Sequence, residues 1–374
     1  MKNINDYAEK YLYTFDEKPF NEIDSIVLSW LSYYHINADI YKKNSFSEIK
    51  IKDLYNRKYF DEMVYDVFDQ NSSLKLLTNL ASSPRFRDLD IIYYQEKTSK
   101  NIGEQFSAMT FRLSKNNYFV AFRGTDHSFV GWKEDFDMAY LKYIPAQADA
   151  KRYLNKVMSK LNGYFYVGGH SKGGNLAVYS VLNLDEKLRK KVKKVYSLDG
   201  PSLRKETIQD KNYKKILPLI EKYVPQSSVV GMIFEETNNY KIIKSNSIGV
   251  LQHCPFYWEV VNDKLKILKD SAFDSKNFKV AINALVNSLS DEELKIFVDT
   301  IYGIIESTKS DSVEEMIKDA KKTIPRLFKS IRNLNEDQKK NISKVATIFI
   351  KESFQNLLGS IKDFKLLDRH NLPF

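Results

Sequence analysis

The sequence predicts an α/β fold: a mixed, mostly parallel sheet flanked by helices, with N-terminal helices and a C-terminal all-helical region. Three observations carry this. Between Leu89 and Phe122, short apolar-rich runs are joined by polar loops, the pattern of an antiparallel meander. From Ala146 to Lys244, helical and strand-like segments alternate, which requires right-handed crossovers and parallel strands. Residues 1 to about 80 read as mostly helical, and beyond Asp270 no strand signal is seen.

Taken in order, Asn21 caps a helix whose apolar residues Ile23, Ile26, Val27, Trp30, Leu31 and Tyr34 recur at helical spacing. A second pattern runs from Tyr59 to Phe68 and a third from Leu74 to Leu80, together a helical layer for one face of a sheet. His35, alone among tyrosines, is read as structural. Strands are expected at Leu89 to Tyr94, Phe106 to Leu113 and Tyr118 to Phe122, the last ending in Arg123-Gly124-Thr125-Asp126. A helix over Ala146 to Leu161 precedes the strand Tyr164 to Val167, and a helix reaching about Leu184 follows it. Next come a strand at Val192 to Leu198, a helix over Tyr213 to Tyr223, and strands at Ser228 to Phe234 and Tyr240 to Lys244. Ser290-Asp291-Glu292-Glu293 is a capping box opening a helix. Further helices are expected from Val313 to Ile331, kinked or broken at Pro325, and from Glu336 to Ile361. This divides the chain into residues 1–268 and a helical region, 269–374.

Composition bounds the function. At 374 residues, with 43% hydrophobic and 13% aromatic residues, the chain can bury a full core. Its net charge of +10 would attract anions, but the 58 basic residues are interleaved with 48 acidic ones, so a solvated Lys-rich surface is read and no nucleic-acid partner is expected. Cys254 is the single cysteine, which suits a reducing cytoplasm. No signal peptide and no apolar run of about 20 residues is read, so a soluble cytoplasmic protein is expected. The amphipathic, Lys-rich C-terminal helices leave two readings open: a packed bundle, or peripheral contact with an anionic membrane.

The chemistry centres on Gly169-His170-Ser171-Lys172-Gly173-Gly174. G-x-S-x-G between a buried strand and a helix is a nucleophile elbow: the serine sits on a strained turn, and the glycines remove Cβ atoms that would collide with strand and helix. A serine hydroxyl needs a base, and the base an orienting acid, in the chain order Ser, acid, His. His35 and His127 precede Ser171, His170 points to the wrong side of the elbow, and His370 lies in the tail. His253 remains as base. Asp199, directly after a strand, emerges at the same sheet edge as Ser171 and is the candidate acid, with Glu235 or Glu236 as rivals. The oxyanion donors are the N–H of Lys172 and Thr125, with Arg123 buttressing that loop. No metal cluster or dinucleotide-binding glycine motif is seen, so no cofactor is expected.

Phe122-Arg123-Gly124-Thr125-Asp126, the following Trp132 and Asp135, and the elbow itself resemble the class 3 (fungal-type) lipases. Pro19-Phe20-Asn21, Gln105 to Thr110 and Gln252 to Phe256 make the chain more similar to a bacterial family of uncharacterised lipase-3-like α/β-hydrolases. The resemblance covers roughly residues 10 to 262. It implies the α/β-hydrolase fold, Ser171 as nucleophile, His253 as base and the Thr125 loop as oxyanion hole. The chain departs from the class 3 pattern at three points. Lys172 replaces an apolar residue, no acid occupies Pro225-Gln226-Ser227-Ser228, and Cys254 stands where the family carries an acid.

The expected function is therefore a serine esterase or lipase-like hydrolase acting on a carboxylic ester, a lipid or other acyl ester. The alternative is a catalytically weak or inactive binding or scaffold protein that keeps the fold.

Overall fold

A computed structural model describes residues 1–99, 104–126, 134–270, 280, 282–284, 286–309 and 319–347. His127, Trp132, His370 and the expected helical segments 313–318 and 348–361 lie outside the described residues. The strands are β1 (Phe46–Lys50), β2 (Asp90–Ser99), β3 (Glu104–Ser114), β4 (Asn117–Phe122), β5 (Tyr164–His170), β6 (Val192–Leu198), β7 (Ile220–Pro225), β8 (Lys241–Ile243), β9 (Val260–Val261), β10 (Lys264–Leu265) and β11 (Ile267–Leu268). Nine of them form one sheet in the order β1-β2-β3-β4-β5-β6-β7-β8-β11. The first four pair antiparallel, β4 through β8 pair parallel, and β11 closes the edge antiparallel to β8. This is the α/β-hydrolase fold that the sequence implies.

The strand period of two sends alternate side chains to two cores. Along β4, Tyr118, Val120 and Phe122 enter one core and Phe119 and Ala121 the other. The first core is covered by α4 (Pro145–Lys160) and α5 (Lys172–Leu182) through Ala150, Leu154, Val157, Leu176 and Ala177. The second is covered by α1 (Ile4–Lys10), α2 (Glu22–Leu31) and α3 (Gln70–Ser82) through Ile4, Ile23, Val27, Leu76 and Leu80. Each fully buried aliphatic side chain contributes roughly 1.5–3 kcal/mol. Asn21 caps α2 as expected. Its Oδ1 accepts from the N–H of Ile23 at 2.8 Å and of Asp24 at 3.0 Å, while Asp24 accepts from the Asn21 N–H at 2.9 Å.

Four sequence expectations need correction. β1 lies inside the stretch read as helical. The Tyr59 to Phe68 pattern forms only short turns, Arg57–Tyr59 and Phe60–Met63. The expected helix from Tyr213 to Tyr223 stops short: Lys211–Ile216 is helical, Leu217–Leu219 is a 3-10 turn, and the chain then becomes β7. Pro218 has no N–H for a continuing helix, and Ile220 registers against Val195 of β6 instead. Ser228 to Phe234 is no strand. The Ser228 Oγ accepts from the Gly231 N–H at 3.0 Å, winding the segment into a turn at Val230–Met232.

At the C-terminal end, Ser290 caps α6 (Asp291–Glu306) with the expected capping box. Pro325 lies inside α7 (Ala320–Arg332) and does not end it, and residues 336–347 are helical. Leu294 and Val298 of α6, with Leu289 and Val345, pack against Tyr140. Arg204 donates to Asp291 at 2.8 Å across the same junction.

Candidate active site

The parallel strands deliver their following loops to one edge of the sheet, where α/β folds build their sites. β5 leads into the elbow. Ser171 has φ +59 and ψ −133, a strained conformation for a residue with a side chain. A Cβ on Gly169 would fall 2.3 Å from the Gly173 carbonyl carbon, and one on Gly173 would fall 2.1 Å from the Phe122 oxygen, so both must be glycine. Because β4 and α5 approach this closely, the Arg123–Asp126 loop lies beside the elbow.

β6 ends at Leu198 and is followed directly by Asp199, which is buried and has φ +49. Its Oδ2 lies 2.6 Å from His253 Nδ1, and its Oδ1 accepts from the Ser228 hydroxyl at 2.5 Å. An ionised carboxylate only accepts, so Nδ1 of His253 carries the ring proton and Nε2 presents a lone pair. His253 sits on the 3-10 turn Gly249–His253 with 26% of its side chain exposed. Gly231 makes room for this arrangement, since a Cβ there would lie 2.3 Å from Asp199 Oδ1.

Beside the elbow, two adjacent acids hold Thr125 and Lys172. Thr125 Oγ1 donates to Asp135 at 2.6 Å. The Lys172 ammonium is wholly buried and donates to Glu134 at 2.7 Å and to the Gln105 carbonyl at 3.2 Å. Glu134 also accepts from the N–H of Ala146 at 3.0 Å, joining the start of α4 to the elbow. Burial pushes the Asp135 carboxyl up to about 6, assisted by the Glu134 charge and opposed by Lys172 and the Thr125 hydrogen bond. Burial works against the Lys172 charge, but Glu134 and Asp135 outweigh it and keep the amine protonated. The Lys172 N–H opens α5 and is among the helix donors with no partner inside the helix.

A cavity of about 540 Å³ lies over these groups, lined by Ser171, His253, Asp199, Thr125 and Lys172. Its remaining wall is largely apolar, with Phe136, Met138, Pro201, Val229, Val230, Ile233 and Leu251. That volume and lining suit a small-molecule site. Among the described residues, no hydrogen bond joins Ser171 Oγ to His253, whose ring bonds Asp199.

The other residues weighed from sequence fall elsewhere. Glu235 is buried and paired with Lys222 at 2.7 Å and with the Ser202 hydroxyl at 2.6 Å. Glu236 lies 3.9 Å from Lys205. His35 bonds Asp66 at 2.7 Å and also contacts Glu96, which pairs with Arg123 at 3.0 Å, so His35 and Arg123 brace the back of the Arg123–Asp126 loop. Burial pushes the Cys254 thiol up to about 12, leaving it un-ionised. His170 bonds the Tyr33 hydroxyl and the His253 carbonyl. Ser228, Glu134 and Tyr33 were not singled out from sequence. Only Ser228 carried a signal, as part of the segment where class 3 lipases place their acid.

Residues 80–303 match the family model described as Mbeg1-like. The chain belongs to the Mbeg1-like family. With the topology above, membership establishes a lipase-3-like family and the α/β-hydrolase fold. Solved structures similar to this Mbeg1-like chain include M37 lipase, at 16% identity over 57% of this chain and 70% of that one, TM-score 0.37. A mutant of MDLA from Penicillium cyclopium is 14% identical over 67% of this chain and 87% of that one, TM-score 0.37. The native Rhizomucor miehei lipase propeptide complex is 15% identical over 67% and 87%, TM-score 0.34. No curated protein matches the chain.

Proposed function

We propose that the chain is a serine hydrolase that cleaves a carboxylic ester, a lipid or other acyl ester, through an acyl-enzyme on Ser171. The observation that carries this is the 2.6 Å contact between His253 Nδ1 and Asp199 inside a cavity that Ser171 also lines. Nε2 of His253 takes the Ser171 proton as Oγ attacks the ester carbonyl. The developing oxyanion is received by the Lys172 N–H and the Thr125 backbone N–H, each worth about 3 kcal/mol in the transition state. His253 returns the proton to the leaving alkoxide, and the alcohol departs. Water, deprotonated by the same nitrogen, then attacks the acyl carbon. The acid is released and Ser171 regains its proton. The apolar wall from Phe136 to Leu251 would take the acyl chain.

Hydrolysis of p-nitrophenyl butyrate tests this reading. Ser171→Ala and His253→Ala should each lower kcat by at least about 10³-fold. Hydrolysis that persists in both would overturn it. The second reading, a binding protein that keeps the fold, is favoured by the missing hydrogen bond between Ser171 and His253. Such bonds are often long without substrate and tighten with it. Absence of turnover with every ester tried, together with tight binding of a fatty acid, would support the second reading.

Contact with an anionic membrane belongs to the same proposal. On α7, Ile324, Phe328 and Ile331 form an exposed apolar stripe, with Phe328 60% exposed. Lys321, Lys322, Lys329 and Arg332 share that helix. This is the pattern of a helix lying in a lipid interface. Among the described residues, no helix is long and apolar enough to cross a membrane. The intact chain should float with phosphatidylglycerol vesicles, and Phe328→Glu should abolish flotation; equal flotation of both would refute it. A cytoplasmic location, read from the single cysteine, remains part of this proposal.

A further inference from the structure

We infer that Tyr33 and His170 form a positioning device that holds the loop bearing His253 against the elbow. The inference rests on reading His253 as the base. That base does not ride on a sheet strand, because its residue ends a short 3-10 turn, Gly249–His253. Left to Asp199 alone, the ring would be tethered at one nitrogen while its backbone was free to drift. Two carbonyls of this loop are instead gripped from outside it. The Trp258 indole N–H donates to the Gln252 carbonyl at 2.8 Å, and Nε2 of His170 lies 2.8 Å from the His253 carbonyl.

A carbonyl can only accept, so Nε2 of His170 carries a proton, and Nδ1 of the neutral ring accepts from the Tyr33 hydroxyl at 2.9 Å. Both ring nitrogens are thus committed. His170 itself cannot move, because it is the last residue of β5, in register with Leu198 of β6, and is bonded directly to Ser171. The same residue that delivers the nucleophile therefore fixes where the base loop begins its approach.

Packing agrees. The His170 ring lies against His253 with centroids 4.4 Å apart, and Trp30 and Trp258 flank it at 5.7 and 5.8 Å. Tyr33 packs on Trp30 at 5.0 Å. Burial, with the nearby His253, holds the His170 imidazole neutral. When His253 becomes an imidazolium during turnover, the ring beside it adds no opposing charge. An apolar side chain would fill this space but leave the His253 carbonyl without its donor. A glutamine can supply an amide N–H at similar reach and cannot ionise.

The test compares the full-length protein with His170→Ala, His170→Gln and Tyr33→Phe by p-nitrophenyl butyrate kinetics and by the NMR resonance of His253 Nδ1–H. His170→Ala is expected to lower kcat about 10- to 100-fold with KM nearly unchanged, the cost of displacing a catalytic group by about an ångström. It should also shift or broaden the resonance. His170→Gln should restore most of kcat, and Tyr33→Phe should fall between. Wild-type kcat and an unmoved resonance in His170→Ala would overturn the inference, as would a His170→Gln that folds but is no better than His170→Ala. If His170→Ala does not fold, His170→Gln and Tyr33→Phe decide: a resonance and kcat unchanged in Tyr33→Phe would count against the pair. If the wild type hydrolyses no ester, the hydrolase reading fails, and the resonance alone judges the positioning role.

Discussion

Asp199 is held by more than its place after a strand. Its backbone is left-handed, its two oxygens are divided between Ser228 and His253, and Gly231 leaves it space. Asp199→Asn should keep the fold but favour the wrong tautomer of His253, lowering kcat by about 10³–10⁴-fold. Gly231→Ala should act the same way more mildly, by displacing the carboxylate; a Gly231→Ala protein with wild-type kcat would contradict this geometry. A different logic governs Lys172. Its ammonium and Glu134 are both almost wholly buried, so removing either leaves the other without its counter-charge. Glu134→Ala should cost about 3–5 kcal/mol in urea unfolding, and a loss under 1 kcal/mol would show the pair to be dispensable. Ser171 and His253 stand out as candidates in the sequence because one carries a motif and the other survives elimination among five histidines. Ser228, Glu134 and Tyr33 were not, because their partners lie 29, 38 and 137 residues away and no local pattern announces such a meeting.

Among the elements, the meander, the elbow strand and its helix are legible from their apolar runs, but two strands extend beyond them. β2 continues five residues past Tyr94, to Ser99, through a stretch whose polarity reads as loop, and β5 continues through Gly168 and Gly169 to His170. β7 was misread because Ile216, Ile220, Tyr223 and Val224 satisfy helical and strand patterns alike, and only the register with β6 decides. A helix there would leave Ser228 unplaced, whereas β7 brings Ser228 to Asp199. The N-terminal layer shows how a non-local contact secures elements that propensity alone would not. Arg85 is buried, grips both oxygens of Asp24 at 2.7 and 2.6 Å, and donates to the carbonyls of Tyr13 and Pro19 at 2.7 and 3.1 Å. It thereby ties the segment before α2 to the end of α3. Arg85→Ala should destabilise by about 3–5 kcal/mol, stranding a buried carboxylate; thermal unfolding within a degree of wild type would contradict this role.

At the scale of the whole molecule, a charged network behind the site couples the N-terminal layer to the meander. His35 joins Asp66 to Glu96, which also holds Arg123 and Lys43. Burial alone would lower the His35 pKa, but its bonds to Asp66 and Glu96 outweigh burial and raise it to about 9. The folded-state value lies above the ordinary 6.5, so the stabilisation is complete below pH 6.5 and fades as pH rises through 9. It amounts to at most about 3 kcal/mol. Urea titrations from pH 6 to 10 should show this decline in the wild type and lose most of it in His35→Gln; parallel curves would refute it.

Fold, network and cavity converge on one hydroxyl, and the most direct measurement addresses it alone. The protein is treated with a fluorophosphonate and its peptides are weighed by mass spectrometry. The account expects one adduct, on Ser171, absent from Ser171→Ala and formed at least about 100-fold more slowly in His253→Ala. An unlabelled wild type, or an adduct that survives Ser171→Ala, would contradict it.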